Sequence, residues 1–120
     1  MKTTIEIRAQ FEGLHHWPDA PAEVAFLRNL HRHLFHVEVE IAVNHADRDK
    51  EFFMVKGRLD HALSEVGAGY GPLLLRNLRD LGPMSCEMIA AWLVETLAHY
   101  MEIRRVTVRE DDENSATLTL

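Results

Sequence analysis

Residues 31 to 43 alternate apolar and polar side chains more regularly than any other stretch of the chain. Phe35, Val37, Val39, Ile41 and Val43 fall on one side, and Glu38 and Glu40 on the other. Successive side chains of a strand point to opposite faces, so this pattern demands a strand with one buried face. Thr4 to Phe11 repeats it, with Ile5, Ile7, Ala9 and Phe11 set against Glu6, Arg8 and Gln10. Two such segments in succession pair naturally as an antiparallel unit. Their shared apolar face then has to be covered by something else.

The rest of the chain supplies the cover. His15, His16, Trp17 and Pro18, then Pro21, open a connection to about Asn29, with room for a short helix over Ala22 to Leu30. Asn44 to Lys50 is polar and reads as a turn. Phe52 to Val55 is a short apolar run of ambiguous type. Leu59, Ala62, Leu63 and Val66 then recur at helical spacing, ending at Gly67, Gly69 and Gly71. Leu73 to Leu81 suits a second short helix, stopped by Gly82-Pro83. Ser85 is an N-cap, and Glu87 in the first turn suits the helix dipole. Ile89, Trp92, Leu93, Leu97 and Tyr100 or Met101 continue that helix as an amphipathic stripe. Val106 and Val108 mark a third strand, Asp111 to Asn114 an acidic turn, and Ala116, Leu118 and Leu120 a last strand. The order ββααββ predicts an α+β domain: a four-stranded antiparallel sheet with two helices on one face. Its free edges and bare face predict association with copies of itself.

Composition narrows the function. A chain of 120 residues is one domain, 1–120, and a net charge of −6 argues against a nucleic-acid backbone as partner. The longest apolar run, Ile89 to Val94, falls far short of the roughly 20 residues of a membrane span. The single cysteine, Cys86, cannot form an internal disulfide, and the first residues lack a signal-peptide pattern. A cytoplasmic location is the expectation.

Eight histidines are the unusual count. His31 and His33, two apart, share the face of Phe35 and Val37. Two imidazoles aimed at a core need partners, and a divalent metal takes both as ligands. His15 is in phase with Ile5, Ile7 and Phe11, and reaches the same point if the two strands are neighbours. Three histidines with an open fourth position are a catalytic zinc arrangement. The plainer alternative is a packed or solvated His-x-His pair. Glu110, in phase with Val106 and Val108, faces inward at a strand end. A carboxylate there suits a bidentate donor: an arginine, or the amino-pyrimidine edge of a pterin or purine. Otherwise the chain has simply turned out to solvent.

Four segments in this order carry a resemblance. Phe11-Glu12-Gly13-Leu14-His15, Leu30-His31-Arg32-His33, Pro83-Met84-Ser85-Cys86-Glu87 and Val106-Thr107-Val108-Arg109-Glu110 resemble successive motifs of the 6-pyruvoyltetrahydropterin and 6-carboxytetrahydropterin synthase family. The resemblance implies the tunnelling fold, assembled as a trimer-based homo-oligomer, commonly a hexamer, with sites at subunit interfaces. It implies zinc on His15, His31 and His33, and Glu110 as anchor of the pterin ring. The substrate it implies is 7,8-dihydroneopterin triphosphate, with zinc acting as a Lewis acid on the side chain while a base moves a proton.

Departures from the motifs concern proton transfer. Leu27 stands where the family has its cysteine. The family's Leu-Asp-His segment is expected near Tyr70 to Leu73, where nothing matches; Leu59-Asp60-His61 spells it about ten residues early. Asp60 and His61 are therefore weak catalytic candidates, and His16 and His36 join His61 as substitute bases because imidazole titrates near neutrality. His36 is out of phase with the pair, and His45 and His99 read as solvated. Arg32 replaces the glycine between the paired histidines. Four readings follow: a zinc-dependent pterin-side-chain lyase or synthase; a catalytically degenerate relative that binds a pterin or purine-like ligand; a metal-free aldolase on the same fold; and a histidine-rich domain without a site.

Overall fold

A computed structural model describes residues 1–70 and 78–120. The two alternating segments form long strands, β1 (Thr3–His15) and β2 (His31–Val43), paired antiparallel from Thr3↔Val43 to His15↔His31. The other edge of β2 carries β4 (Glu102–Glu110), and β4 carries β5 (Asn114–Thr119), both antiparallel. A two-residue strand, β3 (Arg79–Asp80), lies parallel to the free edge of β1 opposite Gly13 and Leu14. The sheet order is therefore β3-β1-β2-β4-β5.

Helices α1 (Phe52–Glu65) and α2 (Cys86–Leu97) cover one face. Phe35, Val37, Val39 and Ile41 of β2 are wholly buried there, with Leu59 of α1, Ile89 and Leu93 of α2, and Val106 and Val108 of β4. Each such side chain contributes about 1.5–3 kcal/mol on removal from water. The opposite face carries ion pairs, including Arg109–Glu38 at 3.1 Å and Arg105–Glu40 at 3.6 Å. Among the described residues no helix is long and apolar enough to cross a membrane.

Local chemistry sets the helix starts. The Ser85 hydroxyl accepts the Met88 N–H at 3.2 Å, the expected cap, and Glu87 occupies the first turn. Glu51 caps α1 by accepting the Phe53 and Met54 N–H groups. The ambiguous run Phe52 to Val55 is thus the first turn of α1. Ala22–Arg28 is a 3-10 helix interrupted at Val24, and none of its side chains is buried. The apolar stripe of α2 ends at Leu97; Met101 is buried beyond it, while Tyr100 is exposed and takes the Arg58 guanidinium over its ring at 3.9 Å.

Two sequence expectations change. Among the described residues the sheet has five strands rather than four, and the helix expected over Leu73 to Leu81 cannot include its last residues. Residues 71–77 lie outside the described residues, but Arg79 and Asp80 are extended and the Leu81 N–H donates to Leu14 O at 2.8 Å. A two-residue strand has no periodicity to detect. Gly13 allows this close approach, because a β-carbon there would stand 2.8 Å from Leu81 Cδ1.

Candidate metal centre

The buried face of the β1–β2 pair changes character at one end. Phe35 is followed, two residues at a time, by His33 and His31, and His15 lies directly opposite His31. The ring centroids of His15 stand 4.6 Å from His31 and 5.1 Å from His33, and those of His31 and His33 are 5.0 Å apart. One ring nitrogen from each lies within 4.8 Å of the others. His15 is buried, and the other two are half-buried. Phe35 packs edge-on against both His15 and His33.

Hydrogen bonds fix which nitrogens meet. His15 Nδ1 lies 2.8 Å from Met84 O, and His31 Nδ1 2.9 Å from Asn29 O. A carbonyl oxygen only accepts, so both Nδ1 atoms carry protons and donate. His33 Nδ1 donates to Asp111 Oδ2 at 2.5 Å. In the neutral rings all three Nε2 atoms are then left with free lone pairs. Outer partners of this kind orient metal-binding histidines and fix their tautomer. Burial, first of all, holds the His15 pKa below the ordinary 6.5, against the opposing effects of its bond to Met84 and the Glu110 charge. A neutral imidazole is the form that binds a metal. The donor set suits a divalent ion, and the residues fit it.

Asp111 was not legible in the sequence. It begins a tight turn in which Asp111 and Asp112 have φ of 50° and 58°, closed by the Glu113 N–H to Glu110 O at 2.8 Å. From there Asp111 Oδ1 accepts the Leu34 N–H at 2.8 Å while Oδ2 receives His33. The His33 hydrogen bond, with that from Leu34, holds the Asp111 carboxyl below the usual carboxylate range. The signal available in the sequence was its place one step beyond Glu110, across from Leu34.

Glu110, opposite Phe35 in the ladder, enters the same site. Its Oε1 lies 3.3 Å from His15 Nε2, and its Oε2 3.7 Å from His33 Nε2. The Cys86 thiol, at the start of α2, donates to Glu110 Oε1 at 3.6 Å. Burial, with the Glu110 charge adding to it, pushes the thiol pKa up to about 12. Cys86 is thus a protonated donor at neutral pH, not a nucleophile.

These groups open on a cleft of about 760 Å³ whose wall includes His16, Trp17, Phe26, Leu27 and Glu87. His16 Nδ1 donates to Gly82 O at 3.1 Å, which leaves its Nε2 free. Among the described residues no Lys or Arg lines the cleft. The structure places Asp60 and His61 elsewhere: both are exposed on α1, His61 beside Glu65 at 3.4 Å. His36 lies on the charged face with Arg8 and Arg109, and His45 and His99 are exposed.

Comparison with known proteins agrees with this geometry. A family model described as 6-pyruvoyl tetrahydropterin synthase matches residues 4–119. Among solved structures, an uncharacterized protein from Wolinella succinogenes superposes with a TM-score of 0.72 at 15% identity, over 99% of this chain and 98% of that one. The 6-pyruvoyl tetrahydropterin synthase of Caenorhabditis elegans gives 0.66 at 17% identity, covering 100% and 96%. That of Plasmodium falciparum gives 0.62 at 15%, covering 98% and 96%. No curated protein matches the sequence. The likeness to the two synthases shows a shared fold, the tunnelling fold.

Proposed function

The chain belongs to the 6-pyruvoyl tetrahydropterin synthase family, and on that premise we propose that it is a zinc-dependent lyase acting on the side chain of a pterin, with 7,8-dihydroneopterin triphosphate as the first substrate to test. The observation that carries this reading is the convergence of three imidazoles, each with Nδ1 committed to an acceptor, at the wall of one cleft. Zinc held by His15, His31 and His33 supplies Lewis acidity toward side-chain oxygens. Glu110 accepts hydrogen bonds from the amino-pyrimidine edge of the ring, the recognition a carboxylate does best. Trp17, Phe26 and Leu27 give that planar ring an apolar wall and keep water from it. His16, with Nδ1 held by Gly82 O and Nε2 facing no acceptor of its own among the described residues, is the cleft group placed to accept a proton. The working unit is a trimer-based homo-oligomer in the cytoplasm, with no membrane or nucleic-acid partner.

A second reading has its own support. Leu27 occupies the position of the family cysteine, and Cys86 keeps its proton. A protein with this cleft and no catalytic thiol binds a pterin or purine-like ligand without turning it over. Zinc-loaded protein incubated with 7,8-dihydroneopterin triphosphate separates the two. Release of triphosphate or of a side-chain fragment supports the lyase, and saturable binding with the pterin unchanged supports the degenerate relative. Neither binding nor turnover would remove both.

A further inference from the structure

We propose that Glu110 is a fourth protein ligand to the ion held by His15, His31 and His33, so that the resting centre is closed and a substrate enters by displacing this carboxylate. The inference rests on the metal reading above and adds to it a resident group that must leave.

Three observations carry it. First, the carboxylate is already placed. Two donors bound to a tetrahedral zinc at about 2.0–2.1 Å stand roughly 3.3 Å apart; Glu110 Oε1 is 3.3 Å from His15 Nε2, and Oε2 is 3.7 Å from His33 Nε2. Second, the protons are on the wrong side for an ordinary hydrogen bond. His15 and His33 donate through Nδ1 to Met84 O and Asp111 Oδ2, so each ring in its neutral, metal-binding form presents an Nε2 lone pair to Glu110. Two acceptors at these separations repel, and a cation shared between them turns repulsion into attraction. Third, the backbone aims Glu110 there. It ends β4 directly opposite Phe35, between the ladder and the left-handed turn at Asp111, and the Cys86 thiol steadies Oε1 from the helix side.

The consequence is a dual use of one side chain. With zinc alone present, Glu110 caps the ion and offsets half of its charge. When a pterin arrives, the same oxygens exchange the metal for the ring N–H groups, and the fourth position opens only then. Closed four-ligand sites are otherwise structural, while catalytic sites keep a position free. A removable carboxylate gives both states in one centre.

The test uses the metal-free full chain titrated with Zn²⁺ against a chromophoric chelator, with Co²⁺ visible spectra recorded in parallel, for the wild type, Glu110→Gln and His31→Ala. The amide is nearly isosteric but a poor ligand. Expected is a loss of Zn²⁺ affinity of about tenfold or more in E110Q, with displaced cobalt bands and unchanged far-ultraviolet circular dichroism. H31A should lose more. Equal affinity and an identical cobalt spectrum in E110Q and wild type would overturn the proposal and leave the histidine centre standing. Equal zinc binding by H31A and wild type would overturn the histidine centre and the proposal with it. A crystal of zinc-soaked wild type needs no variant: a Glu110 oxygen within about 2.2 Å of the ion supports the assignment, and one beyond about 3 Å contradicts it.

Discussion

The two ends of the β1–β2 pair are built from the same strands, in the same register and on the same buried face. From Ile41 to Phe35 that face is hydrocarbon, and the β2 side chains on it are fully buried. From His33 to His31, with His15 across the ladder, it is imidazole. The backbone does not distinguish the ends; the residue types do. At the hydrocarbon end a side chain needs only volume. At the imidazole end each ring needs an acceptor on Nδ1, and the chain supplies three: Met84 and Asp111 from far along the sequence, and Asn29 from two residues before His31. A core tolerates exchange of like for like, whereas the imidazole end is a set of directed hydrogen bonds.

Phe35 sits on the border, stacked on Phe11 at 5.3 Å and edge-on to His15 and His33. Phe35→Ala should break both ends together, costing about 3–5 kcal/mol in urea unfolding and weakening zinc binding. A cost below about 1 kcal/mol would mean the border is not packed as described. Asp111→Asn should separate the ends. Zinc affinity falls about 10–100-fold while the melting curve barely moves, because the residue is exposed and acts through His33. Ser85→Ala touches the start of α2, which carries Cys86 into the site, and should cost about 1 kcal/mol of stability with little effect on zinc. The last effect is one of pH and is absent at neutrality. Above the ordinary thiol value of 9.0 the unfolded chain ionises at Cys86, while the folded chain holds the proton to about 12. Stability is therefore unaffected by this group below pH 9 and declines through that window as pH rises. Cys86→Ala should lack that decline, and the wild-type thiol should resist alkylation at pH 8.

Much of this was legible because period-two and helical patterns report directly on which side of an element is buried. The long strands, the capped helix after Ser85 and the common phase of His31 and His33 with Phe35 are of this kind. What escaped depended on three-dimensional returns of the chain. Arg79–Asp80 is too short to show a period, and its place beside Gly13 is set by the close approach of Leu81. Asp111 looked like one acid in an acidic turn, and its role comes from a left-handed turn and the β2–β4 register. Leu59-Asp60-His61 carries the letters of a catalytic motif on α1, but Leu59 belongs to the core while Asp60 and His61 are exposed outside the cleft.

Zinc stoichiometry on metal-free protein, measured by elemental analysis after dialysis against excess ion, tests the proposed metal site at the imidazole end most directly. The wild type should hold one zinc per chain, and His15→Ala, His31→Ala and His33→Ala should each fail to retain it while remaining folded. Undiminished zinc in any of the three, or none in the wild type, would show that these imidazoles do not share an ion.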